Sequence, residues 1–169
     1  LGERLPPTES SFFNMLRGQY RAGMVLAHPV GRPLTTIVPG VAHGRLLGGN
    51  LSMIAATMGT PYEIDAAGVI LFIEDINEPL YRIDRLLTHL RLAGVLHKLR
   101  GVLVGDIAGV EAQALDRLLR QTLEPLCIPV LAGWRSGHCN PNLTLPMGAL
   151  VKLDAGNQQL FLEQNVVRR

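Results

Sequence analysis

The stretch GVILFIEDINEPLYRIDR, residues 68–85, joins a run of apolar residues to a pair of carboxylates and then to a helical pattern. The run Val69–Ile73 is continuous and rich in β-branched residues, which is typical of a strand that is covered on both faces. Glu74 and Asp75 follow directly, at the carboxyl end of this strand. The stretch therefore predicts a buried strand that delivers two carboxylates to the start of a helix.

The helix that follows has recognisable ends. Asn77 and Glu78 are candidate N-caps, and Pro79 suits the first turn because its missing N–H would have no partner there. Gly94 marks the expected end of the helix. The apolar positions recur every three or four residues, at Leu80, Ile83, Leu87 and Leu90. This spacing predicts a helix that packs one face against the sheet.

The alternation of strand and helix continues along the chain. GVLVGD, residues 101–106, predicts a second strand, and IPVLAG, residues 128–133, predicts a third. Between them lies a second helix whose apolar face consists of Leu115, Leu118, Leu119 and Leu126. Residues 149–163 alternate around a turn and predict a C-terminal β-hairpin. The short crossovers favour an α/β fold with a small parallel sheet and crossover helices.

The first part of the chain carries weaker signals. Residues 11–18 predict a short helix, and residues 33–40 predict a short extended piece between two prolines. Gly48 and Gly49 precede an apolar pattern at helical spacing, and we interpret them as a glycine turn that feeds a helix. Residues 1–45 as a whole are irregular and rich in proline, so we expect them to be a connector.

Length and composition restrict the class of protein. With 169 residues, of which 47% are hydrophobic and 18% charged, the chain suits one soluble globular domain. A net charge of +2 indicates no nucleic-acid partner, and the apolar runs are too short to span a membrane. No secretion signal is recognisable, so a cytoplasmic location is expected. Cys127 and Cys139 lack disulfide or zinc-ligand spacing, and no metal or other cofactor is expected.

Polar residues follow the ends of all three predicted strands. They are Glu74 and Asp75 after the first, Asp106 after the second, and Ser136 and His138 after the third. Because the carboxyl ends of parallel strands form the ligand crevice of an open sheet, we expect these side chains to converge. A carboxylate bonded to a histidine orients the imidazole, as in a hydrolytic triad. A helix-capping carboxylate and a solvated loop histidine are the simpler alternatives.

A triad also requires a nucleophile, and the sequence offers none in a suitable setting. Ser52 lies within a predicted helix, where a role at the helix N-terminus is favoured. Ser136 and Cys139 are close neighbours of His138 in an extended loop, where adjacent side chains point apart. No G-x-S-x-G elbow occurs. The chain is therefore expected to hold a base and its orienting carboxylate without the nucleophile.

Three strings carry more information than periodicity does. They are GRLLGGNLSMIAATMGTP (44–61), ILFIEDINEPLYRIDRLLTHLRLAG (70–94) and SGHCNPNLTLPMGALVKLD (136–154). In order and spacing they resemble the C-terminal domain of the LD-carboxypeptidases, a family of murein tetrapeptide carboxypeptidases and related microcin C self-immunity peptidases. The resemblance implies a swivelling β/β/α-type domain over residues 46–169. Residues 1–45 would then be the linker and tail of a missing N-terminal nucleophile domain.

The resemblance also implies roles for individual residues. It implies a Ser-Glu-His triad split between two domains, in which Glu74 orients His138 and Asp75 caps or structures a turn. The family's serine lies in a GxSD-like turn of the N-terminal domain, and no such string occurs here, so this chain alone is expected to be inactive. It further implies that the protein is a homodimer that takes part in peptidoglycan recycling. The substrate would be murein tetrapeptide or a related L,D-peptide, cut between meso-diaminopimelate and D-alanine.

Three other functions stay open. One is a non-catalytic module that binds muropeptides or dimerises, and another is a peptidase domain of the microcin C immunity type. A weaker hypothesis is a cysteine hydrolase that uses Cys139. An upstream segment with a GxSD turn would favour the peptidase over the binding module, and thiol alkylation without an effect on activity would exclude Cys139.

Overall fold

The computed structural model describes residues 5–29, 31 and 33–167. Its helices are α1 (Pro6–Leu16), α2 (Leu51–Ala56), α3 (Leu80–Leu92) and α4 (Ala112–Leu123). Its strands are β1 (Thr35–Val38), β2 (Val41–Asn50), β3 (Val69–Ile76), β4 (Gly101–Ala108), β5 (Val130–Ala132), β6 (Leu150–Asp154) and β7 (Gln159–Leu162). Short 3-10 turns at Leu96–Lys98 and Glu124–Leu126 follow α3 and α4.

The strands form one mixed sheet with the order β1-β5-β4-β3-β2-β6-β7. The central strands β5, β4, β3 and β2 run parallel, and α2, α3 and α4 connect them in chain order. The edge strand β1 pairs antiparallel with β5, and the hairpin of β6 and β7 pairs antiparallel with β2. The predicted α/β class is confirmed, including the crossover helices and the C-terminal hairpin. The sheet is larger than predicted because β1 and β2 join it.

Each face of the sheet has its own apolar core. Ile73 of β3 packs with Ile83 of α3 on the helix-covered face. On the opposite face, Phe72 packs with Trp134 and with residues of the C-terminal hairpin. β3 is buried continuously from Val69 to Asp75, so the prediction of a strand covered on both faces is confirmed. Its alternating side chains point to opposite faces, which separates the two carboxylates at its end.

The glycine turn predicted at Gly48 and Gly49 is wrong. Both residues lie in β2, which runs to Asn50, and α2 begins directly at Leu51. Gly48 has a φ of 132° and is paired with Phe72 of β3. A Cβ atom at Gly48 would overlap the carbonyl oxygen of Phe72. The glycine therefore permits a close approach of two neighbouring strands, and it does not form a turn.

The start of α3 differs from the predicted caps. Pro79 is the N-cap, and the helix spans Leu80–Leu92. Asn77 has a φ of 60° and donates its backbone N–H to the carbonyl oxygen of Ala108. This bond continues the pairing of β3 with β4 for one more residue. Because its backbone belongs to the end of the sheet, Asn77 cannot cap the helix.

The N-terminal segment is more regular than the connector that we expected over residues 1–45. α1 begins at Pro6, earlier than the helix predicted over residues 11–18. The predicted extended piece is strand β1, and residues 23–26 hydrogen-bond to β7 at the other side of the sheet. The boundary expected after residue 45 falls inside β2. The division of the protein into two domains stays a prediction.

Candidate active site

The candidate site lies at the carboxyl edge of the parallel strands. Glu74 and Asp75 belong to the end of β3, and Asp106 belongs to the end of β4. After β5 the chain enters an irregular loop, residues 135–143, which contains His138. Because neighbouring parallel strands end at the same edge, this loop meets the strand ends of β3 and β4.

Glu74 and His138 form a direct pair across this edge. The Oε2 atom of Glu74 lies 2.7 Å from Nδ1 of His138 and accepts the backbone N–H of His138 at 3.2 Å. Glu74 is 5% exposed, whereas half of the His138 side chain is exposed. With the carboxylate as acceptor, Nδ1 carries the proton, and Nε2 can accept a proton from another group. This is the arrangement of a base with its orienting carboxylate.

Gly137 allows the carboxylate to reach the histidine. This residue has a φ of 111°, a conformation that side chains rarely adopt. A Cβ atom at Gly137 would lie 2.6 Å from Oε2 and 2.8 Å from Cγ of Glu74. The backbone therefore passes directly over the buried carboxylate, and only glycine leaves enough room. This role of Gly137 was not predicted, although a glycine directly before the candidate histidine is a signal that the sequence contains.

Asp75 has a different partner, the start of α2. Its Oδ2 atom accepts the backbone N–H of Ser52 at 3.0 Å and the Ser52 hydroxyl at 2.8 Å. Its Oδ1 atom accepts the side-chain amide of Asn50 at 2.9 Å, and Asn50 in turn caps α2. Asp75 is 2% exposed. Its predicted structural role is confirmed, although the helix that it supports is α2 and not α3.

Replacement of Asp75 by asparagine is expected to lower the free energy of unfolding by about 1–3 kcal/mol, because a buried amide would face donors that need an acceptor. Chemical denaturation of this chain and of the variant measures the difference. Asp84→Asn, on the exposed side of α3, is the matched control and should change stability by less than about 0.5 kcal/mol. Equal stability of the Asp75→Asn variant and the control would contradict the role of Asp75.

Arg135 connects the loop to the end of β4. Its Nη1 atom donates to Oδ1 of Asp106 at 3.0 Å, and its Nη2 atom donates to the carbonyl oxygen of Asn140 at 3.0 Å. The backbone N–H of Asp106 donates to the carbonyl oxygen of Ser136 at 3.1 Å. Asp106 therefore binds Arg135, the first residue of the loop that contains His138. Asp106 was among the predicted site residues, whereas Arg135 was not. The signal for Arg135 in the sequence is a positive charge shortly after the third predicted strand.

The three nucleophile candidates in the sequence have other contacts. The hydroxyl of Ser52 donates to Asp75 at 2.8 Å. Ser136 is 3% exposed, and its hydroxyl donates to a carbonyl oxygen within loop 135–143 at 2.6 Å. The Sγ atom of Cys139 lies 3.3 Å from another carbonyl oxygen of this loop. The two serine hydroxyls therefore give their protons to acceptors other than the imidazole.

A second histidine, His28, packs against Trp134, the residue directly before loop 135–143. Its ring centroid is 5.2 Å from that of Trp134, which is 1% exposed. Burial lowers the pKa of His28 below its ordinary value of 6.5, a backbone hydrogen bond with Gly133 opposes this decrease, and the positive charge of Arg135 adds to it. Burial and the nearby guanidinium of Arg135 thus both favour the neutral form of the His28 imidazole.

An open cavity of about 380 Å³ lies beside Ser136 and Gly137, the two residues that precede His138. Its walls come from α1, β3 and the chain around the histidine loop, and they include Thr8, Phe12, Phe72, Asn142, Leu145 and Met147. No lining residue carries a charge. Thr8 also accepts the backbone N–H of Asn142 at 3.0 Å through its hydroxyl, so α1 is attached to the chain that follows the histidine.

Neither a metal site nor a membrane span is found in the described part of the chain. Among residues 5–29, 31 and 33–167, no three His, Cys, Asp or Glu side chains are grouped so that they could hold a metal ion. The helices of the same residues are too short or too polar to cross a membrane.

Residues 43–153 match the family model described as the LD-carboxypeptidase C-terminal domain. This chain belongs to that family. The matched range contains both Glu74 and His138, and the resemblance identified from the three sequence strings is confirmed. The fold described above is therefore that of the C-terminal domain of the LD-carboxypeptidase family.

The similar proteins are carboxypeptidases and microcin immunity proteins. The chain is 39% identical over 140 residues to the "Probable murein peptide carboxypeptidase" of Bacillus subtilis (strain 168). The aligned region covers 79% of this chain and 44% of that protein. The structure of a muramoyltetrapeptide carboxypeptidase from Oxalobacter formigenes superposes with a TM-score of 0.75 and 28% identity, over 95% of this chain and 55% of that one.

A further solved structure is the microcin C7 self-immunity protein MccF in complex with aspartyl sulfamoyl adenosine. It superposes with a TM-score of 0.79 and 25% identity, over 98% of this chain and 58% of that one. The chain thus spans about half the length of the proteins that it matches. Because nearly all of the chain aligns, the shared fold also includes its N-terminal segment.

Proposed function

We propose that this chain is the base-carrying half of a serine-type LD-carboxypeptidase. It supplies Glu74 and His138 of a Ser-Glu-His triad, and an N-terminal domain of the same protein supplies the serine and the oxyanion donors. The observation that supports this most directly is the 2.7 Å contact between a buried carboxylate and a half-exposed imidazole. Residues 1–169 alone are expected to be inactive.

The proposed substrate is murein tetrapeptide, which would be cut between meso-diaminopimelate and the terminal D-alanine. The name of the Bacillus subtilis relative and that of the Oxalobacter formigenes structure support this substrate class. We further propose that the protein works in the cytoplasm, in peptidoglycan recycling, as a homodimer. Sedimentation equilibrium of the intact protein tests the homodimer, and a monomer at all concentrations would exclude it.

The geometry of the pair supports an acyl-transfer reaction with His138 as the base. His138 Nε2 takes the proton of the serine hydroxyl as the serine oxygen attacks the carbonyl carbon of the scissile amide. The Glu74 carboxylate accepts the hydrogen bond from Nδ1–H of His138 and stabilises the imidazolium that forms. The imidazolium then gives its proton to the nitrogen of D-alanine, which leaves. A water molecule, activated by the same imidazole, hydrolyses the acyl-serine and restores the enzyme.

The direct test is release of D-alanine by the intact protein, defined as this chain together with the proposed N-terminal nucleophile domain. Purified murein tetrapeptide is incubated with the intact protein or with this chain alone, and free D-alanine is measured. We expect release by the intact protein only. Release by the isolated chain would show that the nucleophile lies within it, and no release by a folded intact protein would favour the non-catalytic binding module.

A second candidate function is cleavage of the amide in an aminoacyl sulfamoyl nucleoside. The MccF complex with aspartyl sulfamoyl adenosine supports this alternative. The uncharged cavity beside Gly137 could accept a nucleobase without burying a charge. Offering this compound and murein tetrapeptide to the intact protein in parallel discriminates between the two functions, because the ratio of the two values of kcat/KM measures the preference.

A further inference from the structure

His138 lies in a loop that is not part of any strand or helix. Residues 135–143 have no regular secondary structure, and half of the imidazole side chain is exposed. The two ends of the loop are joined by the bond from the Leu143 N–H to the Arg135 carbonyl oxygen at 2.7 Å. The hydroxyl of Ser136 adds a second bond there. These bonds fix where the loop leaves the fold and where it returns.

The guanidinium of Arg135 extends this support to the middle of the loop. One of its nitrogens binds Asp106 at the end of β4, and another binds the carbonyl oxygen of Asn140, each at 3.0 Å. The side chains of Arg135 and Asp106 are only 17% and 27% exposed. Charge-assisted bonds at this burial are stronger and less screened than surface ion pairs.

We propose that Arg135 is a positioning residue that sets the distance between the histidine loop and the sheet edge. Asn140 lies two positions after His138, and β4 is the neighbour of β3, which carries Glu74. The guanidinium thus ties the loop to the strand beside the orienting carboxylate. This inference rests on the proposed function of the Glu74–His138 pair, and it gives a role to Asp106, which the triad does not use.

An arginine suits this position better than a lysine. Its planar group presents donors in two fixed directions, so it can bind a carboxylate on the strand and a carbonyl oxygen on the loop at the same time. An ammonium group is a compact charge on a flexible stem, and it would favour the carboxylate alone. Lysine should therefore keep the ion pair that holds the start of the loop to β4 and lose only the bond to the carbonyl oxygen of Asn140.

The test compares variants of the intact protein in the D-alanine assay. Arg135→Ala is expected to lower kcat by about 10- to 100-fold, because a displacement of about 1 Å at the reacting groups has effects of this size. KM should stay close to the wild-type value, because Arg135 does not contact the substrate. Arg135→Lys should recover part of the loss. Arg85→Ala, an exposed arginine of α3, is the matched control.

A double-variant cycle separates positioning from general loss of structure. Asp106→Asn breaks the same link and should lower kcat similarly, and the double variant should lose no more than the larger single loss. Thermal unfolding reports the folding of each variant, and Asp106→Asn replaces Arg135→Ala if the latter does not fold. A kcat for the folded variants equal to that of the Arg85→Ala control, or additive losses, would overturn the inference.

The same assay distinguishes this inference from the proposed function. If His138→Ala keeps full activity, the proposed function fails and the positioning role fails with it. If His138→Ala is inactive while Arg135→Ala and Asp106→Asn behave as wild type, only the positioning role fails. A rise in KM proportional to the loss of activity would assign Arg135 to substrate binding, and this would also overturn the inference.

Discussion

Replacing His138 by alanine in the intact protein is expected to lower the rate of D-alanine release by about 10²- to 10⁴-fold or more, since a positioned general base contributes this much. Removal of the imidazole takes away one hydrogen-bond partner of the buried Glu74 carboxylate, so the free energy of unfolding should fall by about 1–3 kcal/mol. Initial rates and thermal unfolding of wild type and variant measure the two effects separately.

The partner variant is Glu74→Gln, which keeps the shape of the side chain. An amide can turn its NH₂ group toward Nδ1 and favour the wrong imidazole tautomer, so a large loss of kcat is expected here as well. His97→Ala, on an exposed part of the surface, should leave the rate unchanged. Full activity of the His138→Ala variant would exclude the proposed base, and full activity of Glu74→Gln alone would exclude the orienting role.

Replacing Gly137 by alanine should disrupt the Glu74–His138 pair, because the added methyl group would collide with the Glu74 side chain. The added Cβ would lie 2.6 Å from Oε2 of Glu74, so either the loop or the carboxylate must move and the contact with Nδ1 of His138 must lengthen. The φ of 111° adds a backbone cost of about 1–3 kcal/mol. We expect a loss of D-alanine release as large as that of His138→Ala, together with a lower melting temperature.

Gly156→Ala is the matched control for this substitution. Gly156 has no strained φ, and a Cβ there would meet only a carboxylate oxygen of Asp154 at 3.7 Å, an ordinary contact. This variant should keep both activity and melting temperature. If Gly137→Ala retains the activity of Gly156→Ala, the loop is free to move away from Glu74, and the tight fit of carboxylate and histidine would be disproved.

Local patterns predicted the central elements well because their cause is local. The continuous apolar run of β3 and the spacing of α3 each follow from burial within a few residues, and both elements are confirmed. The pattern was misleading at Gly48 and Gly49, where glycine serves a contact with a neighbouring strand. A contact of this kind depends on the pairing of β2 with β3, which no local window contains.

The sequence by itself determined the class of fold and the two chemical groups of the site. The strand ends offered several polar candidates, and the ILFIED and SGH strings of the resemblance pointed to Glu74 and His138, which lie 64 positions apart. The resemblance implied that Glu74 orients the imidazole, and only the tertiary structure decided how Glu74 and Asp75 separate, because these neighbours alternate to opposite faces of the sheet. Asp75 binds α2 on one face, and Glu74 meets the histidine loop on the other.

The supporting residues were likewise decided by the tertiary structure. Gly137 and Arg135 become necessary only when the loop after β5 crosses the ends of β3 and β4. That crossing depends on the strand order, in which β4 lies between β3 and β5. The physical reason is that the chemical group of a residue can be read from the sequence alone. The distance between two residues, and the space left between them, exist only after folding has brought them together.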